Sequence, residues 1–482
     1  MNANFIGREN EQRELLNSYE TVNSEFVAVY GRRRVGKTYL IKTTFDDKID
    51  FLFTGVYKSD QKTQLEFFKM ELLRVFPQAY KGKIDSWKKA FFVLSDYLRS
   101  LKKERVVVFF DELPWMDTPK GDLLVSLSYF WNMWDSKDGL LKLYVCGSST
   151  TWMLNKLIGD KGGLYGRVGK KIYLAPFSLY ETKLYLNEIK NAHYNDIQVL
   201  NTYMILGGIP FYLNMIDTSL PLSKNIDNLF FKTNGALRNE FDFVFRSLFK
   251  ESANYQKIVL ALSTKLTGLN REEISELTKI SGGTLTTMLK NLRACDFLRC
   301  YSTIDNKSKN KIYQLIDPFT LFYLHFVKDE EGQNEDFWTI NQSKPIINSW
   351  LGYAYEIVCF NHINQIKKGL YIAGINSSIH SWKTNKYIDE NNNQWSGAQI
   401  DMVIDRDDNV INVVEIKYTD KDKYNLTKSY YDKVYERIEN FKTSTKTKKA
   451  IVCTFITTQG LKENTYSRDI ISQLTLGDLM KE

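Results

Sequence analysis

Histidine is nearly missing from this sequence. The four present among 482 residues, His193, His325, His362 and His380, stand isolated, and a structural zinc site needs ligands at close, paired spacing, so a zinc module is excluded. Cysteine is almost as scarce. Its five copies (Cys146, Cys295, Cys300, Cys359 and Cys453) are odd in number and scattered, without a C-x-x-C pair. That rules out a disulfide framework and reads as reduced core thiols in a cytoplasmic protein. No N-terminal apolar segment of signal-peptide type and no run long enough to span a bilayer occurs, which argues against secretion and against a membrane partner. Nor is charge gathered in one tail. The net charge of +8 is spread along the chain, a balance that permits a nucleic-acid partner without demanding one.

What is present is an ordinary globular composition, 43% hydrophobic, and enough chain for about three domains at ~150 residues each. The clearest signal is Gly31-Arg32-Arg33-Arg34-Val35-Gly36-Lys37-Thr38, a complete G-x-x-x-x-G-K-T. It follows the apolar strand Phe26–Tyr30 and leads into the helical spacing of Tyr39-Leu40-Ile41-Lys42, the strand-loop-helix setting of a phosphate-binding loop. Its glycines let the backbone aim N–H groups at a phosphate chain. Lys37 is then expected on the β- and γ-phosphates of ATP and Thr38 on Mg²⁺. Upstream, a helical run from Glu11 to Tyr19 is expected to turn Leu15 and Leu16 inward.

Val106 to Phe110 form a continuous apolar strand ending in Asp111 and Glu112, as suits a strand buried on both faces. Asp111 is positioned for Mg²⁺ through water and Glu112 for the attacking water. A third strand, Leu141 to Cys146, ends in Gly147-Ser148-Ser149-Thr150, where Ser148 or Ser149 can sense the γ-phosphate. Arg167, in the glycine-rich Gly162-to-Arg167 stretch, reads equally as a finger toward that phosphate, in cis or from a neighbouring subunit, and as a surface residue paired with an acid.

These residues, with Phe5-Ile6-Gly7-Arg8-Glu9 and Leu164-Tyr165-Gly166-Arg167, resemble the archaeal-type ATPase family, a clade of the AAA+-like STAND NTPases. Leu174-Ala175-Pro176-Phe177-Ser178 and Leu206 to Leu213 look like the start and middle of that family's helical lid. Residues 178 to 245 are helical by periodicity, and the lid role comes from the resemblance alone.

Residues 253 to 325 read as a winged helix: two short helices around Ser281-Gly282-Gly283, then a hairpin from Phe297–Tyr301 and Lys311–Leu315. Either Thr284, Thr286, Thr287 and Lys290 face a DNA groove with the wing lysines Lys307, Lys309 and Lys311 on phosphates, or the module packs between its neighbours.

In the last third, a helix over 344 to 365 carries Glu356. The stretches Gln399–Ile404 and Val410–Lys417 form a hairpin around Asp407-Asp408-Asn409, followed by a helix near 424 to 442 and a strand over Ala450–Phe455, in an αβββαβ order. Glu415 and Lys417 share one sheet face, and Asp401 on the paired strand can converge with them. This resembles the PD-(D/E)xK nuclease superfamily, and the domain looks like the DUF234 domain that commonly follows the archaeal-type ATPase. The resemblance implies a metal pair of Asp401 and Glu415, a catalytic Lys417 and a helix acid Glu356. A fold of this kind with a solvated acidic hairpin and no catalysis is the other reading.

The expected architecture is α/β: a P-loop AAA+-like parallel sheet over 1–175, a helical lid over 176–250, a winged helix over 251–330 and a restriction-nuclease-like domain over 331–482. The cofactors expected are ATP and Mg²⁺, and the partners DNA and a second copy or protein. The rival is a switch in which ATP sets conformation and the last domain only binds a partner.

Overall fold

The computed structural model describes residues 6–482 apart from 79, 81, 135–138, 160–161, 303, 305–310, 331–333, 390–391 and 421. It divides into two compact units, Met1–Pro176 with Arg246–Lys250, and Phe177–Phe245 with Glu251–Glu482.

In the first unit, β1 (Glu25–Tyr30), β2 (Ile49–Thr54), β3 (Arg105–Asp111), β4 (Leu140–Gly147) and β5 (Lys170–Tyr173) make a sheet of order β2-β3-β4-β1-β5. Every pairing is parallel. Helices α1 (Glu9–Glu20), α2 (Lys37–Phe45), α3 (Gln61–Val75), α4 (Trp87–Ser100), α5 (Leu113–Met116) and α6 (Leu123–Met133) accompany it. Val106 to Phe110 are buried throughout, as a parallel strand covered on both faces requires. Of the two leucines expected to turn inward on α1, only Leu15 does. Leu16 is 36% exposed, because neighbouring residues on a helix lie about 100° apart. Lys142 is fully buried in mid-strand β4, its amine donating to the carbonyls of Ser18, Thr21 and Asn23. It thereby fastens the end of α1 to the sheet. Burial pushes that amine down to about 8.

The second unit opens with helices at Leu179–Leu184, α7 (Asp196–Leu206) and Pro210–Leu213. Asn195 and Gln198 form a capping box at the start of α7, and Gly207, at φ 71°, ends it. A winged-helix arrangement follows: α8 (Ser252–Ser263), β6 (Leu269–Asn270), α9 (Arg271–Thr278), α10 (Gly282–Ala294), β7 (Leu298–Ser302) and β8 (Lys311–Leu315), with strand order β6-β8-β7. Phe319, in the helix Pro318–Phe322, lies 4.9 Å from Tyr212. Phe322 meets Trp338 and Trp350, so aromatic packing joins the helical, winged and C-terminal parts of this unit.

The C-terminal part has α11 (Pro345–Asn361), β9 (Ser377–Thr384), β10 (Tyr387–Ile388), β11 (Gln394–Trp395), β12 (Ala398–Arg406), β13 (Val410–Lys417), α12 (Lys428–Thr445), β14 (Ala450–Thr457) and β15 (Ser472–Thr475). Its main sheet runs β15-β14-β13-β12-β9. The helix expected over 344 to 365 breaks at His362 and resumes over Ile363–Gly369. The later helix starts at Lys428, capped by the Thr427 hydroxyl, rather than near 424, where Tyr424 bridges to Leu461 instead. Of the three strands that the αβββαβ order puts before the second helix, β9 is the one for which the sequence reading assigns no residues, and β10, β11 and β15 are additional to that order.

Candidate functional sites

Parallel strands deliver their carboxyl ends to one edge of the sheet, where ligands of open α/β folds bind. Here that edge carries Thr54, Asp111, Gly147 and the loop after β1. Gly31 has φ 148°, and a Cβ there would stand 2.3 Å from the Leu174 carbonyl oxygen, while Gly36 at φ 94° starts α2 in a left-handed conformation. Only glycine permits this curl. Arg32, Val35 and Lys37 are buried, Arg33, Arg34, Gly36 and Thr38 half-buried.

The Lys37 amine donates to the carbonyls of Gly31 and Arg32 at 3.1 and 2.8 Å. Burial pushes it below its ordinary value, and Glu112 and Asp111 pull it back up. A buried ammonium served by carbonyls of its own loop is a cation in want of an anion, which fits a phosphate chain. The Thr38 hydroxyl donates to Asp111 Oδ1 at 2.8 Å, so the oxygen donors expected to hold Mg²⁺ stand side by side. Thr54 and Cys146 also donate to Asp111, at 3.3 and 2.8 Å. Burial and Asp111 raise the Cys146 thiol well above its usual value, keeping it a neutral donor. Sequence reasoning missed both, the one signal being their places at or near the ends of strands flanking Asp111.

Glu112 sits at φ 48°, and its Oε2 accepts from both the backbone N–H and the hydroxyl of Ser148 at 2.9 Å. The acid and the candidate sensor thus engage one another. Arg167 is exposed in the loop before β5, and no hydrogen bond or ion pair among the described residues ties it to Lys37, Asp111 or Glu112.

In the second unit, the β12–β13 hairpin is in register from Met402 opposite Val414 to Asp405 opposite Ile411, and β12 shifts register against β9 between Ile400 and Val403, so Asp401 stands next to the last paired position and Glu415 next to its partner. Glu415 is 5% exposed. Its Oε1 pairs with Arg437 at 2.9 Å, its Oε2 accepts from the Tyr430 hydroxyl at 2.8 Å, and the Lys417 amine lies 3.9 Å from Oε2. Asp401 Oδ1 accepts from the Gln399 amide at 2.6 Å. Burial, then Asp401, raises the Glu356 carboxyl to about 8. Burial lowers the Lys417 amine, but Tyr430 and Glu415 outweigh it and hold the amine above its ordinary value. Among the described residues no three His, Cys, Asp or Glu side chains stand together at metal-holding distance; Asp401 and Glu415 offer a carboxylate pair. Tyr430 and Arg437 were not anticipated. Their signal is the spacing of seven along α12, which puts both on one face.

On the winged helix, Thr284, Thr286, Thr287 and Lys290 are all exposed on α10, and Lys311 is exposed at the start of β8. Lys307 and Lys309 lie outside the described residues.

Residues 5–216 match the family model described as an ATPase domain predominantly from Archaea. An uncharacterised protein of Methanocaldococcus jannaschii is 26% identical over 435 residues, 89% of this chain and 90% of its own. Among solved structures, the Walker-type ATPase of Pyrococcus abyssi is 21% identical with a TM-score of 0.47, over 66% of this chain and 96% of its own. The Aeropyrum pernix ORC2 protein is 15% identical with a TM-score of 0.41, over 69% and 93%. The first unit carries a P-loop ATPase domain. No helix among the described residues is long and apolar enough to cross a membrane.

Proposed function

We propose that the protein is an ATP-regulated, metal-dependent deoxyribonuclease. Lys37 contacts the β- and γ-phosphates of ATP, Thr38 and Asp111 hold Mg²⁺, Glu112 orients the attacking water, and Ser148 reports the γ-phosphate by exchanging its bonds to Glu112 for bonds to that phosphate. Arg167, exposed on its loop, reaches a γ-phosphate as a finger in cis or within a homo-oligomer. Exposed α10 and Lys311 meet DNA.

The observation that supports the nuclease reading is that Asp401, Lys417 and Glu415 all lie near enough to act on the Glu356 carboxyl, with the Lys417 amine 3.9 Å from Glu415. Two carboxylates and a lysine are a donor set that suits metal-assisted phosphodiester hydrolysis. A divalent cation between them would neutralise charge developing on the phosphate. Lys417 then orients the attacking water, and Glu356, whose carboxyl burial and Asp401 push up to about 8, supplies a proton.

A second reading has its own support. Both Glu415 oxygens already have partners, Arg437 and Tyr430, which suits a silent fold that binds a protein partner while ATP sets conformation. Cleavage assays on single- and double-stranded DNA with Mg²⁺ or Mn²⁺, with and without ATP, separate the two. We expect metal-dependent cutting that Asp401→Ala and Lys417→Ala each abolish, with ATPase activity retained and no added loss in the double variant, since both serve one site. Wild-type protein that cuts nothing under either metal leaves the switch reading in its place.

A further inference from the structure

Beside the phosphate-binding cleft, Tyr57 and Lys58 after β2 and Trp115 after β3 come together with Arg33 of the P-loop. Tyr57, in the loop after β2, is 42% exposed, and its ring lies 5.1 Å from that of half-buried Trp115, tilted by 56°. The Lys58 ammonium stands 5.3 Å from the Tyr57 ring, and the Arg33 guanidinium 6.0 Å from that of Trp115. Among the described residues no ion pair occupies Arg33 or Lys58, and the nearby Asp60 is committed to capping α3 through the Thr63 N–H.

The cluster is braced from beneath. Gln64, fully buried on α3, accepts from the Val56 N–H at 3.0 Å and donates to the carbonyls of Val56 and Trp115 at 2.7 and 2.8 Å. One amide therefore fastens the loop and the short helix α5 that carry the rings. Rings serving only the core would be buried. These two are presented to solvent between two cations, the combination on which unstacked bases and their phosphates bind.

We propose that this cluster is a single-strand nucleic-acid site, with bases stacking on Tyr57 and Trp115 and the phosphate chain running over Lys58 and Arg33. It rests on the DNA-directed reading above and adds a contact on the ATPase unit. A duplex keeps its base faces covered, so exposed rings select single strands. The adenine of a nucleotide in the P-loop is not the occupant. Trp115 follows the Asp111–Glu112 end of the cleft, where the terminal phosphate is expected, and the base lies beyond the far end of the phosphate chain.

The test is fluorescence anisotropy of the full chain with a labelled oligothymidylate of about twenty nucleotides, long enough to cover one such site. Tyr57→Ala should weaken binding roughly tenfold, the order of one lost stacking contact, and Tyr57→Phe should restore it. Lys58→Ala should lower the log–log salt slope by about 0.7, the value for one phosphate contact on a single strand. Binding is read without divalent metal and apart from the cleavage assay, so a failed nuclease reading and a failed stacking site are told apart. Equal affinity in wild type and Tyr57→Ala, or no binding of the strand by wild type, overturns the proposal. So does a matching loss of ATP affinity in Tyr57→Ala, which would assign the rings to adenine.

Discussion

Lys37 shows how a single residue can be held ready for a ligand. Its amine is almost wholly buried, and its hydrogen bonds go to the Gly31 and Arg32 carbonyls, leaving the charge unneutralised at the contact. An incoming phosphate exchanges those bonds for charge-assisted ones. At ~1.5–3 kcal/mol for each hydrogen bond to a charged group, losing two of them costs roughly a hundredfold or more in affinity. Lys37→Ala should therefore bind ATP–Mg²⁺ at least that much more weakly, while circular dichroism and melting temperature in the absence of nucleotide stay close to wild type. Calorimetric titration is the check, and unchanged affinity would remove the phosphate role. Glu112 makes a different point at this scale. Its left-handed backbone is a conformation that costs energy for a side-chain-bearing residue, and the two Ser148 bonds hold the carboxylate that this geometry presents.

Between elements, His362 ties together helices far apart in the chain. It sits at the break after α11, where Nδ1–H donates to the Val358 carbonyl at 2.8 Å and Nε2 accepts from the Leu179 N–H at 2.9 Å. Both ring nitrogens are used only while the imidazole is neutral. Burial lowers the ring to about 4, against ~6.5 for a free histidine. The unfolded chain therefore binds the extra proton first. This contribution is complete above about pH 6.5 and is lost as pH falls toward 4. Denaturant titrations of the full chain at stepped pH should show stability falling across that window, and His362→Gln, though less stable at pH 7, should have a flatter profile. Parallel profiles would mean that other groups set the acid limit.

For the whole molecule, division into two compact units implies that nucleotide should not stabilise every part alike. A ligand bound only to the folded P-loop unit adds about 2.7 kcal/mol when present at 100 times its dissociation constant. In scanning calorimetry with ATP–Mg²⁺ we expect one of two transitions to move up while the other stays, and Lys37→Ala to abolish the movement. A single transition that shifts as a whole would show that the units melt together.

The P-loop, the acidic strand and the hairpin with Asp401, Glu415 and Lys417 were legible in the chain itself, because each of these elements is formed by neighbours in sequence. Glycines permit the curl, a β-branched run forms a buried strand, and alternation sets the face of a hairpin. The order of the central sheet was not legible, nor were the partners that reach across it. Ser148 on Glu112, Cys146 on Asp111, Arg437 and Tyr430 on Glu415, and Tyr57 against Trp115 join residues 15 to 58 positions apart or on different strands. Such contacts depend on which strands become neighbours and on how a helix is rotated when it packs. Periodicity identifies a helix face, but only the tertiary fold decides what that face meets.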